Sequence, residues 1–480
     1  MERSFDIKLL YAISAAYLIA VLVGISQDFL WILVLPAIGL ILYMGMYALD
    51  KLMLFVAFTT PLSINLAETG LGIGVSLPTE PILFGIMLIF FLKVSADNGF
   101  DRKILFHPVS LAILFHLGWM FFTSVTSTMP LVSIKHTIAR LCFVTVFFYL
   151  ATQLFRKIEN INIFIWSYII PLLIVIGYTI VRHASFGFTE KSADWVMSPF
   201  YNDHTQYAAV IAMFIPLLIV FVFNSGMKFL TRFAALIVTI ILSVAIILSF
   251  TRAAWLGLVG SVVLFFIYIL KIDFKLILFA VLLVSAVLFN FRTEIMINLE
   301  RNREESSTDM QAHLQSMSNI STDASNVERL NRWACAWRMF QAKPIFGWGP
   351  GTYQFQYAPF QISSEKTIIS TNSGDRGNAH SEYIGPLAEQ GVLGTLGILA
   401  VIFAVLTQGS LLIARAKDPK IKYLAMGLLL GLVSYWVHGT LNNFLDTDKA
   451  SIPFWGFAAA LLALDIYHSR QSREGMGNRE

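Results

Sequence analysis

Charge is what this sequence has least of. Asp, Glu, Lys and Arg make up 13% of its 480 residues, against about 25% in an ordinary soluble domain. Hydrophobic residues reach 57% and the mean hydropathy is +0.70, so too few polar side chains are present to cover a water-facing globule. The net charge of +4 is too small to suit a binder of nucleic acid. Cysteine is nearly missing as well. Cys142 and Cys335 offer no disulfide framework, and one lies in an apolar segment while the other lies in a polar one, so no pairing is expected. The first apolar run has no small-residue cleavage site and is followed at once by another, which reads as an uncleaved first helix.

Long apolar runs are what the sequence has in quantity. Runs of roughly 20 apolar residues match the thickness of a bilayer core, and about 14 segments of helix length can be counted. They lie near 9–25, 29–49, 52–64, 81–94, 105–124, 138–155, 162–182, 206–224, 231–249, 253–270, 275–290, 382–407, 421–440 and 452–467. The expected fold class is all-α: a polytopic integral membrane protein with about 14 transmembrane helices, in a range of about 12–14. Residues 1–290 hold the N-terminal helices and 380–480 the C-terminal ones with a tail. Between them, 291–379 forms one long polar interruption with a short amphipathic helix. Its tract "RNREESSTDMQAHLQSMSNISTDASNVE" (301–328) has the composition of loop or disordered chain.

Basic residues set the expected orientation. If the N terminus is cytoplasmic and the segments alternate, Lys51, Lys93, Arg102, Lys103, Arg156, Lys157, Lys228, Arg232, Lys271, Lys275, Arg415, Lys417, Lys420 and Lys422 all fall in inner loops. The short outer loops keep little more than Lys135, Lys191 and Lys449. Both termini are then cytoplasmic, and the long loop is outside, away from ATP and nucleotide sugars.

Several polar islands share that outer side. In "LSFTRAAWLGL", Arg252 sits between two helices with almost no loop, where an arginine wants an anion or a route to the headgroups. In "NVERLNRWACAWRMFQAKPIFGWGPGTYQF", Leu330, Trp333, Trp337 and Phe340 recur at helical spacing, with Arg329, Arg332 and Arg338 beside them. That pattern fits an interfacial helix and also a lid presenting guanidinium forks to phosphate. "GDRGNAHSEYIGPLAEQGVLG" places Arg376, His380, Glu382 and Glu389 at a helix entrance. The imidazole of His380 titrates near neutrality and suits proton transfer. Glu389 points into the bundle or pairs with a base. "PFYNDHTQYAAV" brings Asn202, Asp203 and His204 to another entrance, where capping is the plain alternative. Asp446 and Asp448 of "LDTDKAS" form a D-x-D pair, but no third ligand lies nearby in sequence, so no metal site is expected.

"PFYNDHTQYAA", "SFTRAAWLG", the Arg329–Trp333 spacing followed by "KPIFGWGPGTYQF", and "AHSEYIGPLAEQGVLG" occur in this order on one expected face. Together they resemble the O-antigen ligase and polymerase superfamily of bacterial polysaccharide enzymes, over about Pro199 to Phe454. The resemblance implies a type C-like, metal-independent and inverting glycosyltransferase of the bacterial inner membrane, without cofactor. It implies an undecaprenyl-pyrophosphate-linked glycan as donor and a lipid A core or another glycan as acceptor, at the periplasmic face. His380 then corresponds to the family's essential histidine, and Arg252 and Arg329 to its pyrophosphate-gripping arginines. Arg332 is expected to assist these, and Asn202, His204 and Glu389 to support the site. The chain departs from the family's common Asn at Ser381 and His204. A ligase and a polymerase use the same donor chemistry and differ in acceptor. The reading from another class is a flippase for lipid-linked oligosaccharides, which would need charges through the membrane interior rather than on one face.

Overall fold

The computed structural model describes residues 7–27, 35–66, 74–97, 100–224, 226–273, 313–367 and 377–468, with Ser370 and scattered positions from 275 to 291; for 313–327 it describes the backbone alone. The N-terminal helices are α1 (Ile7–Ser26), α2 (Leu35–Tyr47), α3 (Leu49–Thr59) and α4 (Thr79–Asp97). A small antiparallel ribbon, β1 (Ile64–Asn65) and β2 (Ser76–Leu77), links α3 to α4. Then come α5 (Arg102–Leu105), α6 (Pro108–Val125), α7 (Pro130–Val144), α8 (Ala151–Leu154), α9 (Ile158–Ala184) and α10 (Glu190–Ala193). They are followed by α11 (His204–Phe223), α12 (Phe229–Leu248), α13 (Arg252–Leu270), α14 (His313–Ala342) and α15 (Tyr353–Gln356). The chain closes with α16 (Ile384–Arg415), α17 (Pro419–His438) and α18 (Asp448–Ala463).

Ten of the described helices or helix runs are long and apolar enough to cross a membrane, which makes this a multi-pass membrane protein. They are α4, α6, the run 130–154, α9, α11, α12, α13, α16, α17 and the run 448–468. The other four expected segments stand differently. Segment 9–25 is helical within α1, and 52–64 is the 11-residue α3 closed by a turn at Thr60–Leu62. Segment 29–49 begins outside the described residues and ends in α2, and 275–290 lies largely outside them, as does Arg376.

Two boundaries differ from the sequence expectation for identifiable reasons. The segment expected from 138 starts at Pro130, the first residue of α7, a position where the missing N–H of proline costs nothing. Ser133, Thr137 and Arg140 therefore lie inside the helix and are buried. The helix expected to be short in the long loop has 30 residues, α14, and takes in 313–328 of the tract read as unstructured. Glu328, Asn331, Arg332, Cys335, Ala336 and Met339 are buried, whereas Trp337 is 52% exposed. Leu330, Trp333 and Phe340 of the apolar stripe are half-buried, and the inward face mixes Glu328, Asn331 and Arg332 with the apolar Cys335, Ala336 and Met339.

α18 forms the centre: every one of its residues is buried, as expected for a helix that is apolar all round. Polar residues at its entrance are fully engaged. Asp448 Oδ2 accepts from Ser63 Oγ at 2.5 Å and Thr79 Oγ1 at 2.6 Å. Lys449 Nζ donates to the Thr60 and Ser63 carbonyls. Helix ends alternate between two faces of the bundle. One face, called here the loop face, collects Ser63, Thr128, His204, Thr251, the stretch 344–353, His380 and the turn 439–447, tied together by hydrogen bonds. At the other face Asp101 joins Arg156 at 3.0 Å and Tyr467 at 2.9 Å.

Candidate functional site

Four stretches meet on the loop face, and their local sequence explains how. Asp203 caps α11: its Oδ1 accepts from Gln206 N at 2.8 Å and from Thr205 Oγ1 at 2.6 Å, the usual service of an aspartate before a helix. Ser381, two residues before the Tyr383 cap position of α16, accepts from the amides of Tyr383 and Ile384 at 3.3 Å each and holds the turn that enters the helix. A serine in this place therefore still supplies a hydrogen-bond acceptor to the helix entrance, as an asparagine would. Just before it, His380 has φ 47°, one of four non-glycine residues at positive φ among those described. Its amide is held by Asn378 Oδ1 at 3.0 Å. Such a backbone costs free energy of order 1–3 kcal/mol, so the surroundings over-determine where this imidazole goes.

Those surroundings are cationic. Burial first, and then the charges of Arg329 and Arg332, lower the pKa of His380 to about 4, with Asp203 and Glu328 pulling the other way. Arg329 donates from Nε to the Leu441 carbonyl at 3.2 Å, and burial lowers its pKa against the opposing field of Asp203. Arg332 is more firmly built in. Its Nε meets Glu328 Oε1 at 2.7 Å, its guanidinium stacks 4.0 Å over the Tyr357 ring, and its carbonyl accepts from the Tyr353 hydroxyl. Burial raises Glu328, but hydrogen bonds from Ser370, Arg332 and Thr367 outweigh it and hold the carboxyl below its ordinary value.

Arg252 opens α13 as an exposed side chain. Its neighbour Thr251 donates to the His204 carbonyl at 3.3 Å, and His438, beside Ala253, sits in the field of Asp203 and Arg329. His204 Nδ1 lies 3.2 Å from Asp194 Oδ1. The structure thus brings His380, Arg329, Arg332, Asp203 and His204 into one neighbourhood and places Arg252 at its edge, at a helix N-terminus that itself favours anions.

Glu389 has a different place. Its carboxylate accepts from the amides of Gly351 (3.0 Å) and Tyr353 (2.9 Å), so it anchors the "GWGPG" loop rather than a basic side chain. The loop is sewn to a break in α16 at Gly391, φ 68° and ψ −166°. Trp348 N reaches the Ala388 carbonyl, Gly349 N reaches that of Glu389, and Val392 N reaches that of Pro344. A Cβ at Gly391 would lie 2.1 Å from the Ile345 carbonyl oxygen. Glu382 works similarly, its Oε1 accepting from the Tyr435 hydroxyl and the amides of Phe444 and Leu445 at 2.7–2.9 Å.

Beside this neighbourhood lies a polar chamber of about 590 Å³. Asn378, Ala379, Ser381 and Glu382, the flanks of His380, line it. So do Asn202 and Glu389, together with Lys135, His136 and Arg140 of α7, which sequence reasoning passed over. The signal was there: Pro130 marks a helix start, and three bases on one helix in a membrane protein demand a polar destination. Glu328 was also missed, although Glu328 and Arg332 stand at the i, i+4 spacing of helical ion pairs. Asp446 opens into the chamber, and its deep setting and Glu382 raise its carboxyl to about 6. Asp448, two residues on, is spent on Ser63 and Thr79, so the D-x-D stretch presents one carboxylate rather than a pair. Among the described residues no group of three or more His, Cys, Asp or Glu is arranged to hold a metal ion, and Cys142 and Cys335 are free and buried.

No curated protein matches the chain. Residues 237–399, the span that contains Arg252, Arg329, Arg332, His380 and Glu389, match the family model described as O-antigen ligase. Over that stretch, and with its multi-pass helical fold, the chain is similar to the O-antigen ligase family.

Proposed function

We propose that the protein transfers a glycan from undecaprenyl pyrophosphate to a hydroxyl of an acceptor sugar, a lipid A core or another glycan, at the periplasmic face of the bacterial inner membrane. The observation that carries the reading is the setting of His380, fixed at φ 47° in the field of Arg329 and Arg332 within the stretch that matches the O-antigen ligase family model. With a pKa near 4 the imidazole is neutral at pH 7, free to accept the proton that leaves the attacking hydroxyl. General-base help of this kind is worth about 100- to 10,000-fold. Arg329, Arg332 and the exposed Arg252 offset the pyrophosphate charge as the anomeric bond breaks, where forked guanidinium contacts count most. Attack from the side opposite the pyrophosphate inverts the anomeric centre. The donor bond supplies the driving force, so the residues present need neither ATP nor metal for this step.

The test is a transfer assay with purified protein, lipid-linked donor and acceptor. His380→Ala is expected to lose transfer while keeping the wild-type melting temperature. Transfer at the wild-type rate would remove His380 from the mechanism. A ligase and a polymerase differ in this assay only by which acceptor is extended. A flippase would move the lipid-linked glycan without extending either.

A further inference from the structure

The chamber beside His380 is larger than the pyrophosphate grip needs and is built for something else. Its volume of about 590 Å³ falls in the range of small-molecule sites, roughly 300–1,000 Å³, but its walls are unlike those of an apolar ligand pocket. Six carboxamides line it: Asn202, Gln206, Gln354, Asn378, Gln390 and Asn443. Charges of both signs stand among them, Lys135 and Arg140 on one helix and the carboxylates of Glu80, Asp203, Glu382, Glu389 and Asp446 on other elements. The lining side chains also hold buried polar atoms without a hydrogen-bond partner: His116 Nδ1, Arg140 Nε, Gln390 Oε1 and Asn443 Oδ1. Unpaired buried polar atoms are costly in a native protein, and four around one space point to a ligand that satisfies them.

The chemistry narrows that ligand. A lipid tail is excluded by the polar walls. A pyrophosphate is disfavoured by the carboxylates, and the arginines next to His380, Arg329 and Arg332, do not line the chamber. A polyhydroxylated molecule suits it, because each carboxamide offers a donor and an acceptor to neighbouring hydroxyls and carboxylates and guanidinium groups complete the set. Direction decides which sugar. The flanks of His380 line the chamber, while its cationic neighbours lie off the chamber wall. An acceptor held in the chamber would lie next to the loop that carries His380 and apart from the two arginines.

We infer that this chamber is the acceptor-glycan site, with Asn443, Gln390 and Arg140 binding the sugar and Asp446 orienting the attacking hydroxyl. The assignment rests on the transferase reading for the word acceptor, and on the chamber alone for the word glycan. Asp446 is well placed for this. Glu382 fixes the backbone of Phe444 and Leu445 immediately before it, so the carboxylate is carried on a rigid turn.

The experiment separates the two parts. Full-length protein in lipid nanodiscs is examined by saturation-transfer NMR with three probes: D-galactose, N-acetyl-D-glucosamine and D-glucuronate. Asn443→Leu and Gln390→Met remove polar atoms at nearly constant volume, and unchanged melting temperatures show that both fold. At least one probe is expected to bind the wild type, and each variant to weaken that signal by about fivefold, the worth of a lost hydrogen bond. Tyr268→Phe, at the other face of the bundle, should leave it unchanged. In transfer assays the same two variants should raise the acceptor KM about tenfold while the donor KM stays within about twofold. Binding of no probe by the wild type, or undiminished binding by both variants, overturns the chamber assignment. A rise in donor KM in place of acceptor KM assigns the chamber to the donor glycan and overturns the acceptor reading. A protein that binds the probes in the chamber yet transfers nothing overturns the transferase reading alone.

Discussion

At the scale of the residue, position separates arginines that look alike in sequence. Arg332 is locked by Glu328 and Tyr357, Arg329 is mostly buried, and Arg252 is exposed. Replacing Arg332 by Ala strands the buried Glu328 carboxylate, so a loss of about 3–5 kcal/mol of stability is expected and a lowered melting temperature should accompany any loss of activity. Arg252→Lys and Arg329→Lys keep the charge but lose the fork, and each should cut turnover at least about tenfold, or 1.4 kcal/mol, at an unchanged melting temperature. Arg338 donates to the Phe360 carbonyl and to Glu365 and is the control: Arg338→Lys should retain turnover, although stability falls somewhat as the fork is lost. Equal turnover in all three lysine variants would leave headgroup anchoring as the role of Arg252 and Arg329. The acid limb of kcat/KM identifies the base. His380, with a pKa near 4, stays neutral down to that pH, whereas Asp446, near 6, loses its carboxylate earlier as pH falls. A limb near 4 is expected for His380 as base; a limb near 6 that disappears in Asp446→Asn would move the role to Asp446. For stability the sign also follows from the lowered histidine value. The unfolded imidazole binds its proton near 6.5 and the folded one near 4, so the contribution of His380 is present above 6.5 and is lost as pH falls from 6.5 through 4.

At the scale of the element, the join between the "GWGPG" loop and the break in α16 decides whether the site is held together. Glu389 offers both oxygens to backbone amides, and a glutamine in its place presents one oxygen and one NH₂. One buried N–H then faces a donor, and a loss of about 1–3 kcal/mol is expected. Glu389→Gln should therefore lower the melting temperature and weaken transfer partially. Abolished transfer at an unchanged melting temperature would instead make Glu389 a participant in the chemistry. Gly391→Ala demands both a positive φ and a Cβ 2.1 Å from a carbonyl oxygen, and should be poorly folded. Little of this join was legible in the sequence. Apolar runs showed the spanning helices, because bilayer thickness fixes their length, and the ordered polar islands showed which face to examine. Helix breaks and faces were not legible. "AEQGVLG" carries a helical pattern straight through Gly391, and the non-helical backbone there is imposed by the Pro344–Trp348 stretch. The stripe of Leu330, Trp333, Trp337 and Phe340 was visible, but periodicity gives a stripe without saying whether protein or lipid covers it. The chamber was hidden because Lys135 and His136 read as a short outer loop and Arg140 as the start of an apolar segment, when nothing indicates a polar interior.

At the scale of the whole molecule, the basic residues of the short loops gather at one end of the bundle, and this bears on the donor. Arg102, Lys103, Arg156, Lys157, Lys228, Arg232, Lys271, Arg415, Lys417 and Lys420 sit at helix ends away from the loop face. By the excess of lysine and arginine in cytoplasmic loops, that end is expected to be cytoplasmic and the loop face with His380 periplasmic. The chemistry depends on it, since a lipid-linked donor is the activated glycan available where ATP and nucleotide sugars are not. Cysteine labelling tests the orientation cleanly, because Cys142 and Cys335 are 6% and 0% exposed and need not be removed. Gln341→Cys places an exposed thiol at the end of α14 on the loop face, and Lys417→Cys places one in the exposed turn between α16 and α17. In intact spheroplasts a membrane-impermeant maleimide should label the first and leave the second unlabelled until the membrane is opened. The reverse pattern would put His380 and the three arginines on the cytoplasmic side. The donor would then have to be reconsidered among nucleotide sugars, even if every catalytic variant behaved as expected.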